Sequence, residues 1–188
     1  MAEQGFKALT PLGQAAPQCV QIGAVGIVEE FGSTLASLAA RRGQEAAVAA
    51  AAAQIGLPLP GPGKAASGPE WSAFWLGPQQ WMIEADSARH ENIVAALKPA
   101  FGEAASITEQ TGGWARFDPS GPGVHRMFER LCALNTTAMQ PGDATRTVIE
   151  HLGCYVICRA PQSFSVLGPR SSALSLQHAL MTAAKSAQ

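Results

Sequence analysis

The chain has 188 residues, of which 47% are hydrophobic and 14% charged, and its 13 basic and 14 acidic residues give a net charge of −1. Such a composition can bury a core as one domain or as two small fused modules, and it argues against disorder over the whole chain. Because there is no basic field and no polybasic stretch, we expect neither nucleic acid nor a membrane as a partner.

The beginning of the chain is predicted to be a poorly ordered arm over residues 1–30. Its first 20 residues are rich in Gly, Pro, Gln and Ala. The loose apolar alternation of Val20–Phe31 favours a strand or extended structure, although Gly23 and Gly26 weaken it. The N-terminus lacks the apolar centre of a secretory signal. The most apolar stretch, Ala46–Ala53, is well below the roughly 20 residues that cross a bilayer. We therefore expect a cytoplasmic protein without a transmembrane helix.

Two interpretations compete for residues 33–53. The composition favours one long helix, but Gly43 interrupts it, so the alternative is a strand over Thr34–Arg41 followed by a helix. The proline- and glycine-rich run Leu57–Gly63 cannot continue a helix or a central strand, because proline lacks the N–H donor. We interpret this run as a connector.

A β-hairpin is predicted around Gly77-Pro78, a pair typical of tight turns. The flanking runs, Trp71–Leu76 and Gln80–Ala85, are short and apolar. Trp75 and Trp81 lie six residues apart across this turn, so they can cover one face of a sheet. Both core packing and contact with a partner protein fit tryptophans in such a position.

Hydrophobic periodicity places the remaining elements. A helix capped by Asp86 or Ser87 ends near Pro99 and Gly102, a second helix follows Ser120–Gly123, and Ser171 or Ser172 caps the last one. The predicted strands are Ala105–Glu109, Gly113–Asp118, Thr145–His151, Cys154–Arg159 and Ser163–Leu167. Gly153 and Pro161 are the predicted turns between the last three strands.

The order of elements predicts an α+β fold. If residues 34–53 form a strand and a helix, both halves run strand, helix, strand, strand, which is typical of two fused ferredoxin-like units of antiparallel sheet covered by helices. We assign residues 31–110 to the first unit and residues 111–188 to the second.

Candidate reactive residues are few. The cysteines are Cys19, Cys132, Cys154 and Cys158, and they lack CxxC spacing, so we expect free, mostly buried thiols. His151, Cys154 and Cys158 form the strongest candidate set of zinc ligands. Side chains alternate along a continuous strand, however, so His151 and Cys154 would point in opposite directions. No partner that would activate Cys132 is identifiable, and the lone histidines His90, His125 and His178 are interpreted as surface residues.

One segment resembles a known family. Phe74–Ile83, with the sequence FWLGPQQWMI, resembles the Trp-Leu-Gly-Pro, two polar residues, Trp-Leu pattern of the gamma subunit of heterotetrameric sarcosine oxidase. Four further segments resemble the family in the same order along the chain. They are Gly112–Phe117, Ser120–Gly123, Leu131–Leu134 and Leu167–Ser171. The resemblance covers residues 34–184 and favours the strand interpretation of Thr34–Arg41.

This resemblance implies an accessory, non-catalytic subunit in sarcosine catabolism and one-carbon metabolism. Its partners would be the alpha, beta and delta subunits of a sarcosine oxidase that oxidatively demethylates sarcosine to glycine. The partner subunits would carry FAD, FMN, NAD, tetrahydrofolate and zinc. We assign no catalytic, cofactor-binding or metal-binding residue to this chain, which has no dinucleotide fingerprint of its own.

The second half, Trp114–Arg170, also resembles the folate-binding aminomethyltransferase fold of the glycine cleavage T-protein. The alternative is therefore a free-standing folate-binding or aminomethyltransferase-like protein. In that family an aspartate follows a glycine turn and interacts with folate, whereas Gly153–Cys158 contains no carboxylate. A generic scaffold unrelated to sarcosine is the third possibility.

Overall fold

The computed structural model describes residues 8–188, which form two antiparallel sheets and four α-helices. The strands are β1 Cys19–Ile22, β2 Val25–Glu30, β3 Ser33–Ala40, β4 Ala65–Ser67, β5 Ser72–Gly77, β6 Gln80–Asp86, β7 Ala105–Glu109, β8 Trp114–Ser120, β9 Ala144–Ile149, β10 Leu152–Ala160 and β11 Ser163–Pro169. The helices are α1 Glu45–Gln54, α2 Ile93–Phe101, α3 Val124–Leu131 and α4 Ala173–Ser186. The predicted α+β class, with antiparallel sheets covered by helices, is confirmed.

The two sheets take their strands from different parts of the chain. The five-stranded sheet has the order β4-β5-β6-β3-β7 and is built from one continuous part of the chain, residues 33–109. The six-stranded sheet has the order β1-β2-β8-β11-β10-β9, so strands from the beginning of the chain join strands from its second half. The assignment of residues 31–110 and 111–188 as two domains stays a prediction.

Strands β1 and β2 confirm the strand predicted within Val20–Phe31, and they show that the poorly ordered arm predicted for residues 1–30 is wrong over this part. These strands pair with each other, and β2 also pairs with β8, with Val28 opposite Asp118. The local alternation favours a strand here, but its pairing with the distant β8 could not be predicted from it. Residues 1–7 of the predicted arm lie outside the described residues.

The loop before β1 is held by a buried carboxylate. Glu29 is 2% exposed, and its two side-chain oxygens accept hydrogen bonds from the backbone N–H groups of Leu12, at 3.0 Å, and Gln18, at 3.1 Å. The Arg170 guanidinium also donates to the backbone oxygens of Leu9 and Thr10. The loop is thereby fixed against the six-stranded sheet.

The two sheets pack face to face, with helices on both outer sides. Helices α1 and α2 pack on the five-stranded sheet through Val48, Ile93 and Leu97. Helices α3 and α4 pack on the six-stranded sheet around Phe128 and Leu180. A third apolar cluster joins the inner faces of the two sheets and contains Leu35, Phe74, Met82, Ala144, Ile157 and Leu167.

Each sheet is buried on both faces, and neighbouring residues of a strand pack on opposite faces. In β10, Val156 packs with the helices while its neighbour Ile157 packs between the sheets. In β6, Ile83 and Met82 divide in the same way. Successive side chains of a strand point to opposite faces, so a strand covered on both faces needs apolar residues at nearly every position.

The hairpin prediction is confirmed. Strands β5 and β6 pair in antiparallel register, with Trp75 directly opposite Trp81, and both tryptophans belong to the cluster under the helices. The Trp81 indole Nε1 donates to the backbone oxygen of Pro60 at 2.8 Å, so this tryptophan also fixes the proline-rich connector. The strand-then-helix interpretation of residues 33–53 is likewise confirmed by β3 and α1.

Two predicted boundaries are wrong. Helix α2 begins after Asn92, whose side chain accepts a hydrogen bond from the backbone N–H of Ala95, because Asp86 instead closes a separate turn through Ala88. The turn between β9 and β10 is formed by Glu150 and His151, both with positive φ, rather than by Gly153. Two consecutive residues of positive φ suit a tight two-residue hairpin turn, and no glycine marks it.

We expect Trp81→Ala to lower the free energy of unfolding by about 3 kcal/mol, because it removes a buried indole and the hydrogen bond to Pro60. Trp81→Phe should cost less, since most of the ring volume remains. Urea denaturation followed by circular dichroism measures both. Leu174→Ala is the control, because Leu174 is 68% exposed and should change stability little. Equal stability of Trp81→Ala and the control would contradict this role.

Candidate functional site

The space between the two sheets is apolar at one end and polar at the other. The polar end contains Ser33, Ser72, Glu84 and Asp86 on the five-stranded sheet, and Arg116, Asp118 and Arg159 on the six-stranded sheet. We call this set of residues the intersheet polar cluster. Charged side chains in such a position cost solvation energy unless they are paired, so their pairing determines what the site can do.

Glu84 lies at the centre of the cluster. One carboxylate oxygen accepts from the Arg116 guanidinium and from the Ser33 hydroxyl at 3.0 Å, and the other accepts from Arg159 at 3.1 Å. The side chain of Glu84 is 12% exposed, against 16% for Arg116 and 26% for Arg159. A single carboxylate of the five-stranded sheet therefore binds two guanidinium groups of the six-stranded sheet.

Both arginines are also held within their own sheet. Arg116 donates from Nε and Nη2 to the two oxygens of Asp118, at 2.8 and 2.7 Å, which is a bidentate pair. Arg159 donates from Nε to the hydroxyl of the fully buried Ser165 at 2.9 Å. These bonds orient the two guanidinium groups towards Glu84.

The pairing keeps Glu84 ionised. Burial alone would raise the pKa of Glu84, but Arg116 and Arg159 together outweigh it, and the pKa lies below its ordinary value. Burial likewise disfavours the charged form of Arg116, but the bonds to Asp118 and Glu84 raise its pKa above the usual range. Glu30 behaves differently, since burial raises its pKa more than Arg116 lowers it.

Two cavities adjoin the cluster. One is a small cavity of about 50 Å³ lined by Glu30, Phe31, Trp114 and Arg116. The other is an open cleft of about 370 Å³ between the polar ends of the sheets, lined by Glu70, Glu84, Asp86, Arg116 and Arg159. The Glu84–Arg116 pair lines both the small cavity and the open cleft, so the two spaces share this ion pair as a boundary.

The apolar end is built from aromatic rings. The Tyr155 ring lies 5.2 Å from that of Phe74 across the two sheets and 5.5 Å from that of Trp114. The Arg146 guanidinium lies 5.9 Å from the centre of the Tyr155 ring, within cation–π distance. This end therefore packs the two sheets together through aromatic contacts.

The residues considered for zinc do not come together. His151 is exposed on the β9–β10 turn, while Cys154 and Cys158 are buried under the helices of the six-stranded sheet. Within residues 8–188 no group of three His, Cys, Asp or Glu side chains is arranged to hold a metal ion. Burial, with a smaller effect of Cys132, raises the pKa of Cys154 to about 11, and burial also raises the pKa of Cys158.

The histidines take separate roles. His90 stacks on Trp71 with ring centres 4.3 Å apart and bonds to Glu70 at 2.8 Å, whereas the His125 ring bonds to the buried Thr136. Of the three histidines interpreted as surface residues, His178 is exposed, whereas His90 and His125 are half-buried, so the interpretation is wrong for those two.

The intersheet polar cluster was missed by the sequence analysis. A signal was present in β6, where Glu84 follows the apolar run Trp81–Ile83 and precedes the buried Ala85. A charge at such a position needs a buried partner. Nothing in the sequence says that β6 faces β8 of the other sheet, so the pairing could not be predicted.

Comparisons with known proteins define the fold class first. No protein-family model and no curated protein sequence matches the chain. A solved structure of glycine cleavage system aminomethyltransferase T from Bartonella henselae is similar with a TM-score of 0.60 and 12% identity, over 86% of this chain. The chain spans 49% of that enzyme's length. The fold is therefore T-protein-like.

A second solved structure matches nearly the whole of both chains. It is the heterotetrameric sarcosine oxidase from Corynebacterium sp. U-96 in complex with pyrrole 2-carboxylate, with a TM-score of 0.75 and 22% identity. The similarity covers 89% of this chain and 87% of that one. At this identity the likeness shows a shared fold. None of the helices within residues 8–188 is long and apolar enough to span a membrane.

Glu84→Gln should destabilise the protein by about 3 kcal/mol at pH 7, because it leaves two guanidinium groups without their shared carboxylate. Since the folded-state pKa of Glu84 is lowered from 4.5, its contribution is present above pH 4.5 and is lost as the pH falls through the folded-state value. The difference between wild type and variant should therefore shrink below pH 4.5.

Urea denaturation between pH 7 and pH 3 measures this difference. The control is Glu103→Gln, which removes the exposed partner of Arg41 and should change stability little at any pH. A Glu84→Gln cost that stays constant down to pH 3 would contradict the ionic role of Glu84.

Cys154 should resist alkylation in the native protein. With a pKa of about 11, about one Cys154 thiol in a thousand is ionised at pH 8, and the side chain is buried. We expect iodoacetamide to modify the exposed Cys19 first and Cys154 only after urea is added. Peptide mass spectrometry measures both sites, and native labelling of Cys154 at the rate of Cys19 would overturn this expectation.

Proposed function

We propose that this chain is an accessory, gamma-type subunit of a heterotetrameric sarcosine oxidase that demethylates sarcosine to glycine. The observation that carries the proposal is the two-way coverage of the similarity to a chain of the Corynebacterium enzyme, 89% and 87%. A similarity of that extent matches nearly all of this chain to nearly all of a chain of that enzyme. The similarity to aminomethyltransferase T instead leaves about half of that enzyme without a counterpart.

The charged groups of the chain support a structural role. The carboxylate of Glu84 is committed to two arginines and one hydroxyl, so it is a poor candidate for moving protons. The buried thiol of Cys154 has a raised pKa, which makes it a weak nucleophile. The ion pairs of Glu84 with Arg116 and Arg159 therefore join the two sheets.

The alpha, beta and delta subunits are the proposed partners, and they would carry FAD, FMN, NAD, tetrahydrofolate and zinc. We place the complex in the cytoplasm, which the four free cysteines support, because secreted proteins of this size usually pair their thiols.

A free-standing folate-binding protein is the second candidate. The observation that favours it is the similarity to aminomethyltransferase T, with a TM-score of 0.60. Against it stands the strand that follows the β9–β10 turn, where Cys154, Val156 and Cys158 point into the helix-covered core and Tyr155 and Ile157 point between the sheets. No carboxylate on this segment could contact a folate.

Co-expression separates the two candidates. The tagged chain is produced with the alpha, beta and delta subunits from the same organism, and native mass spectrometry and glycine formation from sarcosine are measured. We expect a one-to-one-to-one-to-one complex that loses stability or activity when this chain is omitted. The control is the same chain produced alone and titrated with tetrahydrofolate by calorimetry.

A chain that stays monomeric beside the other three subunits would contradict the accessory role. Saturable tetrahydrofolate binding by that monomer would support the second candidate instead. Assembly without folate binding by the isolated chain would support the first.

A further inference from the structure

We propose that the open cleft at the polar end of the sheets binds a small zwitterionic amino acid. The cleft has a volume of about 370 Å³ and is lined by the charged residues Glu70, Glu84, Asp86, Arg116 and Arg159. This proposal does not rest on the proposed function. It rests on charged groups of the cleft that take no part in the buried ion pairs of Glu84 with Arg116 and Arg159.

The hydrogen bonds show which charges are already committed. Both oxygens of Glu84 are occupied, and Arg116 uses Nε and both Nη atoms for Glu84 and Asp118. Arg159 donates from Nε and Nη2, so its Nη1 makes no hydrogen bond to residues 8–188. Nη1 of Arg159 is therefore the guanidinium nitrogen of the cleft lining that has no partner among these residues.

Free negative groups lie on the other side of the cleft. Asp86 uses Oδ1 for the backbone N–H of Ala88, and Glu70 uses Oε1 for His90, so each has a second oxygen without a partner among the described residues. Asp86 is exposed and follows Glu84 by two residues on β6. An anion alone would meet these carboxylates, and a cation alone would meet the guanidinium, so neither fits as well as a molecule that carries both charges.

The spacing suits a small ligand. Two residues along a strand correspond to about 7 Å, and Arg159 is fixed at Glu84 by its bond of 3.1 Å. A carboxylate on the Arg159 Nη1 and an ammonium on Asp86 would use two charge-assisted bonds of about 2.8 Å each. A ligand that bonds to both groups is therefore short, with its carboxylate and its ammonium on neighbouring atoms of the backbone, as in glycine.

The polar lining contributes the rest of the site. Ser33 stands opposite Asp86 in the β3–β6 register, and Ser72 stands opposite Glu84 in the β5–β6 register. Their hydroxyls already bond to Glu84 and to Ser67. No large apolar side chain lines the cleft, so we expect little selectivity for a bulky side chain and a preference for small amino acids.

Binding is tested on the full chain by nitrogen-15 NMR titration with glycine, and with acetate and methylammonium as ligands that carry one charge each. We expect saturable shifts at Ser33, Ser72 and Asp86 for glycine, and weaker binding of either single-charge ligand. Asp86→Asn should weaken glycine binding about tenfold, because it removes one charge-assisted bond without touching the buried ion pairs. Acetate binding by this variant should not weaken.

Two further variants complete the test. Arg159→Met should abolish binding of both glycine and acetate, and circular dichroism confirms that it is folded; if it does not fold, Asp86→Asn and the single-charge ligands still decide. Glu91→Gln removes an exposed carboxylate outside the cleft lining and should bind glycine as the wild type does. No saturable glycine shift in the wild type, equal glycine affinity in Asp86→Asn, or acetate binding as tight as glycine would each overturn the proposal.

Discussion

The shared burial of Glu84 between Arg116 and Arg159 is the constraint around which the two sheets are arranged. Removing a carboxylate from water costs several kcal/mol unless opposite charges replace the water, and here both charges come from the other sheet. An apolar contact between sheets tolerates small sliding, whereas this bonded geometry does not. We infer that the apolar cluster supplies the attraction between the sheets and that the ion pairs set their relative position.

A second connection joins the sheets at one edge. The backbone N–H of Ala65 donates to Gly142, and that of Ala144 donates to Gly63, while the Lys64 ammonium pairs with Asp143. The sheets are thus held by a backbone bridge at one edge and by buried charges between their faces. A fold held at these two places restricts the movement of one sheet against the other.

Much of the fold could be predicted from sequence, because local patterns determine it. The tight-turn pair Gly77-Pro78 marked the β5–β6 hairpin, and the spacing of Val124, Met127 and Phe128 marked α3. Predictions were incomplete where distant strands decide the outcome: the alternation of Val20–Phe31 favours a strand, but its place beside β8 could not be predicted. The intersheet polar cluster belongs to the same group: Glu84 and Arg116 are 32 residues apart and meet only because two sheets face each other.

The strand order has a consequence for how the chain acquires its structure during synthesis. The five-stranded sheet is complete in sequence by residue 109, so it has all its partners while the rest of the chain is still being made. Strands β1 and β2 are made first and pair with each other, but the other edge of β2 has no neighbour until β8 appears, and β8 in turn pairs with β11. The earliest strands are therefore among the last to be covered in the six-stranded sheet. Until β8 pairs with β2, the apolar side chains of β2 stay accessible and can promote aggregation.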